Sequence, residues 1–206
     1  MTDQQVITVT GEGVVQVVPD RAQLILGVVT EDTTVSNAQQ KNNELITEII
    51  LALNTLGIPE DQIKTVTYRI EPKYDFIDGQ QQFRAYEVTH MVQVVVEDLT
   101  QTGAVVDVAV ENGANMVTSI QFTVADPTNL YREALQLALE DARGKANAMT
   151  NTLNVSLVET PVKVIERSVG GPVRFYDGAM LSSAATPIQP GSISIQASVE
   201  VIYSFQ

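Results

Sequence analysis

The stretch VTGEGVVQVVPDRAQLILGVVT, Val9 to Thr30, decides between two architectures. Gly11-Glu12-Gly13 suggests a phosphate-cradling loop, which would open a helix directly after a strand and carry a third glycine. Here the β-branched run VVQVV follows Gly13, the third glycine is missing, and no Lys with Ser or Thr completes a P-loop. The stretch therefore reads as two strands, residues 6–18 and 21–30, separated by Pro19-Asp20. Its glycines mark either a β-bulge or a place where another backbone passes close.

Working outward, EDTTVSNAQQKNNELITEIILALNTLG places Val35, Ala38, Leu45, Ile46, Ile49, Leu53 and Leu56 at helical spacing. Thr33 or Thr34 caps its start, and Gly57 suits the left-handed position past its end. Strands are expected at Ile63–Pro72 and Phe83–Glu97, with Asp78-Gly79 as a hairpin signal between them. Asp98 caps a short helix that Gly113 ends, and NMVTSIQFTVAD is the next strand. A third helix starts at Asp126-Pro127 and runs to about Leu153. Its Ala134, Ala138, Ala142 and Ala146 form a ridge of small side chains that permits close packing. Strands at 155–167 and 192–205 finish the chain, joined by a long Gly/Pro/Ser-rich loop, 169–191.

The order β-β-α-β-β-α-β-α-β-β is an α+β pattern: long antiparallel strands with three helices packed on the sheet. LNTLGIPEDQIKTVTYRIEP and AVENGANMVTSIQFTVADP echo one another, each running helix end, Gly, link, strand, Pro. Residues 1–206 are expected to form a single domain, or two intertwined subdomains.

Composition narrows the function. A formal charge of −13, from 25 acidic and 12 basic residues, repels phosphate backbones, so no nucleic acid is expected as partner. The apolar run LITEIILAL, Leu45–Leu53, is broken by Thr47 and Glu48, well short of the roughly 20 apolar residues of a transmembrane segment. The absence of cysteine rules out disulfides, thiol catalysis and thiolate metal sites. MTDQQVITV lacks the basic and apolar regions of a signal peptide, so the chain as written is expected in the cytoplasm. The alternative is an exported or envelope-associated mature chain.

Residues able to carry chemistry are few. His90 is the sole histidine and alternates with Val88, Val92 and Val94, which reads as a half-buried strand residue before a catalytic base. Glu31-Asp32, Glu60-Asp61 and Glu140-Asp141 read as solvated pairs, and Asp141 with Lys145 as a surface i, i+4 pair. Asp75 and Asp78 would bind a cation only weakly. No catalytic residue, cofactor or metal is expected. In the loop, Phe175, Tyr176, Met180 and Leu181 read either as a contact surface for another subunit, a protein partner or a ligand, or as part of a simple crossing between the last two strands.

Several of these motifs resemble the SIMPL-domain family. Val9, Gly11 and Gly13 match its V-x-G-x-G, followed by Pro19, Asp20 and Ala22 of P-D-x-A. Gly57, Ile58, Ile63 and Thr65 match G-I-x-x-x-x-I-x-T. GANMVTSIQF, ARGKA and TPIQPGSISIQASVEVIYSF, with Pro187, Pro190 and Gly191, extend the resemblance over nearly the whole chain. It implies kinship with bacterial periplasmic or envelope-associated proteins, some linked to oxidative-stress defence and some known as immunogens. It also implies assembly, since one relative forms a large hollow oligomer, and a mammalian relative is a signalling adaptor. No catalytic residues are carried over from the family.

The expected function is thus a non-enzymatic, self-assembling homo-oligomer acting through its surfaces in stress protection or envelope maintenance. A small-molecule or peptide binding module using the 169–191 loop is the alternative, and a carboxylate enzyme employing His90 or Asp20 comes third.

Overall fold

The computed structural model describes residues 5–167 and 186–206. The α+β order expected from the sequence is present, and the strands form two antiparallel sheets in two compact units. The chain passes from one unit to the other at Pro19/Asp20, at Thr123/Val124 and at Pro190/Gly191.

The first unit contains β1 (Val6–Val17), α3 (Pro127–Leu153), β6 (Lys163–Glu166) and β7 (Ile193–Ser204). Its sheet runs β1-β7-β6, with β1 in unbroken register on β7 from Val6↔Ser204 to Val17↔Ile193. α3 starts as its sequence dictates: the Asp126 side chain accepts from the Thr128 N–H, and Pro127 takes the first turn, where no N–H is needed. Ala134, Ala138, Ala142 and Ala146 are fully buried against Ile7, Val9, Ile195, Val199 and Val201. β6 is shorter than the expected strand at 155–167. Glu159-Thr160-Pro161 bends the chain, and before it Leu157 bridges to Phe205, with the Ser156 and Val158 N–H groups donating to the Gln206 and Ser204 carbonyls. Pro161 has no N–H to give a ladder.

The second unit contains β2 (Arg21–Asp32), α1 (Val35–Leu56), β3 (Ile63–Ile77), β4 (Gln80–Val96), α2 (Thr102–Glu111) and β5 (Met116–Thr123). Its sheet runs β3-β4-β2-β5. Leu24, Leu26, Val28, Val92, Val94 and Val96 face Ile46, Ile49 and Leu53 of α1 and Val105 of α2. Thr34 caps α1 by accepting from the Asn37 N–H. Asp98 caps a 3-10 turn, Leu99–Gln101, that leads into α2. Gly57 and Gly113 follow the two helices at φ 105° and 104°, left-handed conformations that release the chain toward edge strands β3 and β5. The two echoed segments thus flank one sheet.

β3 and β4 run longer than the expected Ile63–Pro72 and Phe83–Glu97. They continue to the tight turn Asp78-Gly79, where both φ angles are positive, 50° and 77°, the signature of a two-residue hairpin.

Candidate interaction surfaces

In the first unit, β1 pairs without a bulge, so Gly11 and Gly13 mark a close approach of backbones. A Cβ on Gly11 would lie 1.9 Å from the Ala138 carbonyl oxygen, and one on Gly13 would lie 2.0 Å from that of Ala134. Glycine in the strand and alanine in the helix together let α3 rest on the β1 backbone. The Asp141–Lys145 pair, read from sequence as solvated, does more than that. Asp141 Oδ2 accepts from the Glu12 N–H at 2.9 Å, and Lys145 Nζ donates to the Thr10 carbonyl at 2.9 Å. The two side chains meet at 2.6 Å. The Lys145 ammonium and the Glu12 amide hold the Asp141 carboxyl below the usual carboxylate range.

In the second unit, His90 is half-buried on β4. Its Nε2 lies 3.1 Å from Thr65 Oγ1, and the Tyr68 ring meets it edge-on with centroids 5.1 Å apart. Burial pushes the imidazole below its ordinary value of 6.5. The Nδ1 atom is buried without a protein partner. Register partner Val28 and neighbour Val88 both lend their carbonyls to fully buried Asn42, whose Nδ2 donates to them at 3.1 and 3.0 Å. Asn115 plays a related part at the other edge: its amide accepts from Val29 N–H at 2.8 Å and donates to Val29 carbonyl at 2.7 Å. It prolongs the β5 ladder by one side chain. Neither asparagine stands out by periodicity; only its type inside an apolar segment, or beside a strand start, marks it.

Asp32, Glu31 and Asp75 are held by neighbouring side chains too. Asp32 accepts from Lys41 at 2.7 Å, from the Thr34 N–H and from Asn37, which holds its pKa at about 2. Glu31 and Asp75 both face Arg84, at 2.5 and 3.8 Å. Asp75 is thereby taken up by a guanidinium, and Asp78 sits in the hairpin turn. Among the described residues, no group of three His, Asp or Glu side chains is placed to hold a metal ion. Pro19 is buried, and Asp20 is exposed beside Arg21, 3.1 Å away.

Exposed apolar side chains gather at the end of the β3–β4 hairpin. β4 pairs with β2 only from Tyr86 onward, so Lys73–Ile77 and Gln80–Ala85 pair with each other alone. Tyr74, Phe83 and Tyr86 share one face, with ring centroids 6.0 and 5.0 Å apart along the row. Phe76 is 76% exposed, and Tyr74, Ile77 and Phe83 are nearly half exposed. Sequence reasoning passed over this arm because FIDGQQQ reads as a loop. Its contact loop, Phe175, Tyr176, Met180 and Leu181, lies outside the described residues. Just after it, Thr186 is fixed to Asp107 of α2 through its N–H at 3.1 Å and its hydroxyl at 2.5 Å, and Ile188 packs on the core. A depression along α1 is open, and the polar residues Ser36, Gln39, Gln40, Asn43, Glu44 and Glu48 line it. No helix is long and apolar enough to cross a membrane, among the described residues.

These features define an α+β protein in which Asn42, Asn115, Asp141 and Lys145 bond to the backbone of its own strands. The sequence matches the SIMPL family, described as a protein of unknown function (DUF541), over residues 7–203, and the chain belongs to that family. It is 29% identical over 212 residues to the 26 kDa periplasmic immunogenic protein of Brucella melitensis, covering 97% of this chain and 84% of that one. The Brucella abortus protein of the same name matches equally. The uncharacterized protein YggE of Escherichia coli is 24% identical over 194 residues, covering 94% and 78%. The expectation of a cytoplasmic chain is overturned by these relatives: the Brucella proteins are named periplasmic, which points to export.

Proposed function

We propose that this SIMPL protein is exported, non-enzymatic and self-assembling, and that it acts through its surfaces in stress protection or envelope maintenance. The β3–β4 arm carries the reading. A two-stranded ribbon alone is marginally stable in water, yet this one extends past β2 with an aromatic face open to solvent. Fully burying an exposed Phe contributes about 1.5–3 kcal/mol, so covering Phe76, with the exposed halves of Tyr74 and Phe83, by a second copy supplies a favourable centre for an interface. Among the described residues β3 is also an edge strand, with β4 as its one neighbouring strand. Periplasmic relatives support the location. Light scattering coupled to size exclusion tests the assembly: a defined multiple of the 22.4 kDa chain mass is expected, whereas a monodisperse monomer at micromolar concentration removes the proposal.

A further inference from the structure

The outer edge of β1 is closed by side chains. In an antiparallel pair, alternate residues direct both backbone groups at the partner strand, and the residues between them direct theirs away. The Glu12 N–H and Thr10 carbonyl bond to Asp141 and Lys145, so they belong to the set directed away from β7. They flank Gly11, and they are the two groups that a strand added opposite Gly11 would engage. Asp141 Oδ2 stands where that strand would offer a carbonyl oxygen, and Lys145 Nζ stands where it would offer an N–H. Their mutual 2.6 Å contact holds the spacing, as the peptide backbone of an added strand would.

The surroundings make this a fitted device. Gly11 and Gly13 bring α3 so close that a carboxylate one turn along reaches the strand edge. Both side chains are partly exposed, 36% for Asp141 and 48% for Lys145, so an incoming strand can displace them. Strand edges in soluble proteins are commonly blunted by charges, and here the charges take up the hydrogen bonds themselves.

We propose that Asp141 and Lys145 act as a side-chain guard on β1, keeping its edge from pairing with β1 of a second copy. Opened, the edge offers Thr8, Thr10 and Glu12 on one face and Ile7, Val9 and Gly11 on the other, a pattern that pairs antiparallel with itself about Gly11. The guard is separate from the arm, and the amide of Glu12 reports on it directly.

The test compares the whole chain with its Asp141→Ala/Lys145→Ala variant by hydrogen exchange at Glu12 and by light scattering. Exchange at dilute concentration should rise about tenfold or more, as expected for losing a bond to a charged acceptor. At higher concentration a new species of doubled mass relative to the unaltered chain should form. Asp141→Asn, which keeps an acceptor oxygen, should retain slow exchange at Glu12. If the alanine pair fails to fold, Asp141→Leu/Lys145→Met, two good helix formers that cannot bond to the strand edge, carries the same readouts. A folded variant with unchanged Glu12 exchange, or one with no species of doubled mass at the higher concentration, overturns the proposal.

Discussion

A methyl group at Gly11 would sit 1.9 Å from the Ala138 carbonyl and 2.8 Å from Ala142 Cβ, so either the strand or α3 must move. Both neighbours are rigid backbone or a fully buried side chain. Gly11→Ala is therefore expected to cost about 3 kcal/mol, at the upper end of overpacking, measured as a lower urea midpoint; a change under about 0.5 kcal/mol would contradict the close approach. His90 is a second residue with a measurable signature. Burial holds its folded-state pKa below 6.5, so the unfolded chain takes up the proton first as the pH falls. Stability is then unaffected by His90 above about pH 6.5 and declines as the pH drops from there through the lower folded value. His90→Gln should flatten the fall in melting temperature between about pH 7 and about pH 5. Equal slopes for both proteins would show that another group is responsible. The glycines were visible in the sequence as architecture, though not which backbone they admitted. That depends on α3, more than a hundred positions away, and no local spacing reports it.

At the scale of elements, helix ends were the most legible parts, because a cap is a contact between near neighbours. Thr34, Asp98, Asp126, Gly57 and Gly113 all sit at ends where their types alone would place them. Thr34→Ala is expected to lose about 1 kcal/mol. Strand ends were less legible. The Gln80–Gln82 run continues β4 because the Asp78-Gly79 turn sets the register, not because its residues favour strands. Glu159–Pro161 shortens β6 for the opposite reason. Asn115 was missed because its ladder is built by a side chain. Asn115→Ala removes both bonds to Val29 and should cost about 1–3 kcal/mol. It should also speed exchange of the Val29 amide. Slow exchange at Val29 in that variant would mean that the side chain does not complete the ladder.

For the whole molecule, the sequence order of the elements was readable, but their division between two sheets was not. β1 and β2 are adjacent in sequence, yet β1 pairs with β7 at the other end of the chain and β2 with β4 and β5. Hydrophobic alternation says which face of a strand is buried and is silent about its neighbours. The arm was illegible for the same reason: exposure of Phe76 follows from where β2 stops, a fact about pairing. Assembly through that arm is the central claim, and the mass of the unaltered chain set beside Phe76→Ser/Phe83→Ser tests it most directly. Both substitutions lie on exposed positions, so circular dichroism should stay unchanged. The account predicts a defined assembly for the unaltered chain and a shift toward 22.4 kDa for the variant. Identical masses for the two proteins, whether both assembled or both monomeric, would contradict it.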